Sequence, residues 1–431
     1  MKTFLKPILY TSLFSAMMCL PTNAQQKKDL YPELEKGEPV LIISDNTPGK
    51  ETLINIFEVT ESPYFHDPRA PRFLLTDQKG KFALGIGGYA RTVVSYDFDG
   101  ISDNVDFIPA LIPQRGSMAA RNQFQLDATT TMLFIKLVGH TDKLGDFVIY
   151  TAGNFRGNGR TFKLRNAYLS FLGFTMGYDT GMFMDAAAFP PCIDFQGPNG
   201  MTFYRTTQLR YEASIVDGLK MGIGIESPSV NGTPANDVAI NTQRCPDIPA
   251  YMQLNWNSKS HIRLSGIYRN MSYRNNLTDK YKSLSGWGIQ ASTTFALGNF
   301  QVYGQYTYGK GIARYMNDMS NLNVDIVPKY GNPAEMQALP MTGWFAGLQY
   351  NFSKKVFASA TYSGSYLNSR NNYSQNNQTS YRDGKYLVSN IFWNMTPDLQ
   401  LGAEYLHGWR KDFNGDDSGA NRINICAKYN F

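Results

Sequence analysis

The chain has 431 residues, of which 14% are aromatic and 18% charged, with a formal net charge of +6. A soluble domain usually carries about 25% charged residues, whereas a mean hydropathy of −0.34 is too low for a bundle of apolar membrane helices. After Gln25 no apolar run of about 18 residues remains, so helical spans are excluded and either one large fold or several soluble domains is left.

Residues 1–24 read as a secretory signal. Lys2 and Lys6 precede the mostly apolar stretch Pro7 to Leu20, and Thr22-Asn23-Ala24 offers a cut before Gln25. Ala16-Met17-Met18-Cys19 is a poor lipobox. Cleavage removes two lysines and no acids, lowering the net charge from +6 to about +4. Residues 25–80 mix Pro, Glu and Lys with short apolar runs such as Leu53 to Phe57, and Pro63, Pro68 and Pro71 then break the chain. They predict a periplasmic extension lying against or in the mouth of whatever follows.

From Lys81 the texture becomes alternation at period two, the sign of strands with one apolar face. Leu219, Met221, Ile223 and Ile225 fall on one side, with Lys220 and Glu226 on the other; Ile262, Leu264 and Tyr268 oppose Arg263, Ser265 and Arg269. Sixteen such strands begin near residues 82, 118, 145, 162, 173, 203, 218, 249, 260, 284, 299, 342, 355, 384, 398 and 421. The second loses parity around Thr129 to Thr131, which predicts a bulge or bend. The last ends on Ile423, Ile425, Ala427, Tyr429 and Phe431, with Arg422, Asn424, Cys426, Lys428 and Asn430 between them. Tyr429 and the terminal Phe431 match the insertion signal that barrel assembly machinery reads on outer-membrane strands.

The connections alternate in length. Short turns lie near Gly173, Val216-Asp217, Asn257-Ser258-Lys259 and Thr396-Pro397-Asp398; long segments lie at 181–202, 227–248, 274–283, 310–341, 368–383 and 409–420. An outer-membrane barrel distributes its loops in this way, long outside and short in the periplasm, whereas a sandwich or propeller has no reason to. The fold expected is all-β: a transmembrane antiparallel barrel of about sixteen strands over 81–431, contacting outer-membrane lipid and lipopolysaccharide.

Little points to chemistry. His66, His140, His261 and His407 are scattered, and no glycine-rich phosphate loop precedes a helix. The reading is therefore a non-enzymatic protein without cofactor or metal, and with no nucleic-acid partner. The polar faces are more informative. Arg91, Arg121, Arg165, Arg210, Arg263 and Arg269 fall on the polar faces of several strands, Arg263 and Arg269 sharing one, and a charge facing lipid near the midplane costs about 2–4 kcal/mol, so they must point inward or sit at a rim. Cations around a narrow lumen make a field that favours small anionic solutes; the competing reading is that they pair with Asp127, Asp146 or Glu212. The third long connection, Met182 to Met201, carries Phe183, Phe189, Ile193 and Phe195 and is stiffened by Pro190-Pro191 and Pro198. Such a loop predicts an inward fold that sets Asp185 and Asp194 opposite the arginines, or else an apolar subunit interface. Cys192 and Cys245 both fall in long connections, where an oxidising exterior would permit a disulfide.

Gly87-Gly88-Tyr89-Ala90-Arg91, Phe162-Lys163-Leu164-Arg165-Asn166-Ala167-Tyr168, Phe183-Met184-Asp185 with Asp194-Phe195-Gln196-Gly197-Pro198-Asn199-Gly200, and Gln208-Leu209-Arg210-Tyr211 resemble motifs of the DcaP-like porins of the Gram-negative outer membrane. The resemblance spans about residues 82–213. It implies a sixteen-stranded, trimeric channel for small anions such as dicarboxylates. Several members carry a helical heptad segment ahead of the barrel, and residues 25–80 show no heptads.

Overall fold

The computed structural model describes residues 40–41 and 49–431, except positions 72, 78–80, 100, 102, 104, 115–120, 144 and 241–242. The signal segment 1–24 lies outside the described residues. Sixteen antiparallel staves form a closed wall. They run Phe82–Asp97, the broken pair Gln123–Asp127 and Met132–Thr141, Gly145–Asn154, Lys163–Phe171, Phe174–Thr180, Arg205–Val216, Leu219–Glu226 and Ile248–Asn257. The second half runs Ser260–Asn275, Lys280–Leu297, Phe300–Lys310, Pro340–Asn351, Val356–Leu367, Tyr381–Asn394, Leu399–Asp412 and Asp417–Asn430.

The alternation read from the sequence is the alternation of lipid and lumen. Ile262, Leu264 and Tyr268 are about half exposed on the outside, while Ser265 and Arg269 of the same stave are buried within. The bend foreseen near Thr129 to Thr131 is a turn in which Thr131 N–H donates to Ala128 O at 3.1 Å, and it splits the second stave in two.

Closure is completed by the chain's last residue. The closing stave pairs with the first from Arg422↔Asp97 to Asn430↔Tyr89, and Phe431 and Gly88 then exchange both backbone hydrogen bonds at 3.0 and 3.1 Å. Gly88 is required there: a Cβ would stand 2.1 Å from Met132 O. Below that point the same edge of the first stave is taken by the short strand Phe73–Thr76, which pairs Phe73↔Ile86 through Thr76↔Ala83. The residues ahead of it therefore start from the seam of the barrel.

Two segments expected as long loops are mostly strand. The ninth and tenth staves stay paired out to Asn275↔Lys280, and the last two out to Lys411↔Asp417, so only tight turns remain of 274–283 and 409–420. Beyond the lipid both faces of a ladder can be polar. The alternation disappears there, although the backbone pairing does not.

Candidate functional site

The bore is filled from three directions: by the third connection (181–204), by the connection 311–339, and by residues 49–71 ahead of the barrel. The third loop is apolar because it packs as a core. Phe183, Phe189, Ile193 and Phe195 are all buried. Its backbone is held by the wall. Met182 N–H donates to Glu226 Oε1 at 2.9 Å, Ile193 and Asp194 N–H donate to the two oxygens of Glu404 at 2.5 and 2.7 Å, and Gly200 N–H donates to Ser363 Oγ at 2.8 Å. At Gly200 the loop touches the wall so closely that a Cβ would lie 2.2 Å from Gly364 O.

Asp185 and Asp194 are both buried anchors of the loop; of the two, Asp185 lies near one of the six arginines, Arg263. Asp185 accepts from His261 Nε2 at 2.7 Å and Ser292 Oγ at 2.6 Å. Burial alone would raise its carboxyl, yet the bond from His261 and the nearby Arg263 charge hold it below the usual carboxylate range. Asp194 accepts from Phe107 N–H at 3.0 Å, Gly197 N–H at 3.1 Å and the Tyr386 hydroxyl at 2.9 Å. Burial, with Glu404 beside it, pushes this carboxyl well up. Inside a barrel an unpaired carboxylate is costly, so each ends up against the donors the wall supplies.

The six arginines separate into different jobs. Arg269 is fully buried, 3.1 Å from both Asp247 and Asp325, which ties two outer loops to the wall. Arg210 pairs with Asp179 at 3.2 Å and Glu212 at 2.9 Å, so the pairing alternative holds there. Arg263 donates to Met182 O at 2.5 Å and lies 3.6 Å from the centre of the Tyr251 ring. Arg121 is half exposed on the first outer loop, 3.9 Å from Asp99. Arg91 holds the third loop through Ile193 O and donates to Thr130 Oγ1 at 2.8 Å. Arg165 has no carboxylate partner among the described residues; its guanidinium lies 5.2 Å from the centre of the Phe195 ring.

Arg165 is not alone on that ring. Arg156 and Arg91 lie 5.3 and 5.9 Å from the same centre, within the range of cation–π attraction. Arg156 is neutralised by Asp106 through two bonds at 2.9 and 2.7 Å. Three guanidinium groups thus surround one loop phenyl, with one carboxylate bonded to them. Sequence reading missed Arg156, which lies in a connection with no alternation, and treated Phe195 only as apolar filling.

The residues after the helix Lys50–Val59 cross the bore as a strap. Tyr64 packs with Phe189 and Phe203 of the third loop at centroid distances of 5.7 and 5.6 Å. His66 Nε2 lies 3.2 Å from Asp194 O, and the Tyr89 hydroxyl donates to His66 O at 2.7 Å. Burial, then the charges of Arg91 and Lys428, push the His66 imidazole well below its ordinary range, so it is neutral. Asp67 pairs with Arg205 at 3.4 Å, and Arg69 donates to Pro397 O at 2.8 Å.

The disulfide allowed by the sequence is absent: Cys192 and Cys245 are both free, the first buried and the second exposed. The inward fold of the third loop explains this. It draws Cys192 to within 3.7 Å of His66 Nε2 in the bore, whereas Cys245 stays on an outer loop. Among the described residues no group of three or more His, Cys, Asp or Glu is placed to hold a metal.

Residues 75–431 match the model of the DcaP outer membrane protein family. The chain is similar in fold to the outer membrane channel DcaP of Acinetobacter baumannii, with 18% identity, 83% of this chain and 99% of that chain covered, and a TM-score of 0.71. OmpT of Vibrio cholerae aligns at 11% identity over 83% of this chain and 100% of its own, with a TM-score of 0.53. An anion-selective porin from Comamonas acidovorans aligns at 11% identity over 81% and 100%, with a TM-score of 0.52. Comparison with curated protein sequences finds no match.

Proposed function

The chain belongs to the DcaP outer membrane protein family, and on that premise we propose that it is a diffusion channel whose third loop presents a positive aperture to small anionic solutes. As a family member it is a multi-pass barrel of the Gram-negative outer membrane.

The observation that carries the anion preference is Arg165. The residue is half-buried, and its guanidinium lies by the Phe195 ring with no carboxylate bonded to it, sharing that ring with Arg91 and the already neutralised Arg156. A unit anion about 5 Å from one such charge gains roughly 3 kcal/mol at the effective dielectric of a protein surface. That is enough to bias permeation even after partial screening. Arg269 and Arg210 contribute less, since their carboxylates lie within salt-bridge distance.

Reversal potentials in planar bilayers under a KCl gradient test this reading. The native protein should pass chloride in preference to potassium, and Arg165→Gln should move the reversal potential towards zero. An unchanged potential in Arg165→Gln would sink the assignment.

A further inference from the structure

On the short-turn side of the third loop the bore keeps a hollow of about 340 Å³. The strap residues 59–71 form one side of it. The other side is the inner face of successive staves carrying Phe134, Tyr150 and Tyr168. Tyr150 and Tyr168 are directly opposed across the ladder. Their ring centres are 5.4 Å apart, and Phe134 continues the row 5.6 Å from Tyr150. Phe134 is buried against Tyr89 and Met132, but Tyr150 and Tyr168 remain partly exposed to the hollow.

The charges around this hollow nearly balance: Glu61, Asp67, Asp179 and Glu212 line it with Arg69, Lys136 and Arg210. Arg210 is held by Asp179 and Glu212, Asp67 by Arg205, and the Lys136 ammonium donates to Phe57 O at 3.3 Å and Thr60 O at 3.1 Å. The hydroxyls are not used in the same way. No described residue is a hydrogen-bond partner of the Tyr150 or Tyr168 phenol, and Ser170 Oγ accepts from Thr175 Oγ1 at 3.1 Å, which leaves its own proton to donate.

Flat rings beside free hydroxyls, in a lining with no net positive charge, select a neutral ligand that offers a C–H face and several hydroxyl groups at once. A plain arene would cover the rings and leave the hydroxyls without partners, a loss that a buried site does not recover. A small anion would meet four carboxylates against three cations in the lining. We propose that this hollow is a saccharide subsite that holds a pyranose ring against Tyr150 and Tyr168. The proposal rests on the channel reading only in that solutes must reach the bore; it adds a neutral sugar site behind the anion-selective aperture.

Equilibrium titration of the full-length protein in detergent micelles tests it, with maltose and benzoate as probes. Maltose should bind, and Tyr150→Ala or Tyr168→Ala should weaken it about tenfold, the factor equivalent to about 1.4 kcal/mol. Tyr150→Phe and Tyr168→Phe keep the ring and the fold; they should weaken maltose by a smaller factor. Absence of maltose binding, equal maltose affinity in all four variants, or tighter binding of benzoate through the same rings would each overturn the subsite. The titration needs no conduction. Maltose binding without bilayer conductance would sink the channel reading and leave the subsite, and conductance without maltose binding would do the reverse.

Discussion

The outer face of the wall and the filling of the bore draw on the same amino acids under different rules. Outside, Leu264, Ile289 and Ile425 are each about half exposed and need only lipid, so any apolar side chain of similar size would serve. Inside, Arg269, Asp185, Asp194 and Tyr64 each answer to particular partners brought in by distant segments. A one-residue rule governs the first region and a pairwise rule the second. The fold tolerates change where lipid is the only neighbour and resists it where a loop is anchored.

The sharpest break in that contrast should come from Arg269→Met. It leaves Asp325 without its ion pair and Asp247 with only Arg314 at 3.8 Å, and removing one partner of a buried charge cluster costs about 3–5 kcal/mol. Urea unfolding in lipid or micelles reads this directly, and a loss under about 1 kcal/mol would put the pairwise rule in doubt. Next in size is Leu264→Arg, one residue from the native Arg263. A cation on the lipid face should cost about 2–4 kcal/mol, seen as a lower folding yield into vesicles, whereas Leu264→Met should cost less than about 1.5 kcal/mol. Equal yields for the two variants would mean that this position does not face lipid.

A smaller effect on global stability, and a larger one on current, is expected for Tyr64→Ala. The strap can loosen locally while the wall stays closed, so open-channel noise should rise with the unfolding midpoint nearly unchanged; quiet current would show that the strap does not depend on that ring. The smallest effect is on the acid side. Because the folded carboxyl of Asp185 is depressed, its contribution is fully present above the unfolded value of about 3.9 and is lost as pH falls through the lower folded value. The unfolding midpoint of Asp185→Asn should therefore fall less steeply in acid than that of the native protein, and parallel slopes would contradict the anchor.

The wall was legible in the sequence for the reason it tolerates change. Each outward residue reports lipid on its own, so Ile262, Leu264 and Tyr268 reveal their side without reference to any other segment. The third loop was legible too, since Phe183, Phe189 and Phe195 in a long connection have to hide somewhere. What could not be read were the partnerships. Asp194 meets Glu404 and Tyr386, and Arg269 meets Asp325, across separations that no periodicity encodes. The inward fold of 311–339 did leave a signal of the same kind as the third loop: Met316, Met319, Ile326 and Val327 are apolar and buried in an outer connection. The disulfide misled because two cysteines in outer connections look alike until one connection is known to turn inward.

The central claim is that one guanidinium without a bonded carboxylate, Arg165 at the third loop, sets a field rather than a size limit. Its most direct test is the chloride-to-potassium permeability ratio measured across ionic strength. Charge screening shortens from about 30 Å at 0.01 M to about 3 Å at 1 M, so the native channel should favour chloride strongly in dilute salt and approach no preference in concentrated salt. A ratio that stays constant over that range, or one that favours potassium at low salt, would contradict the account.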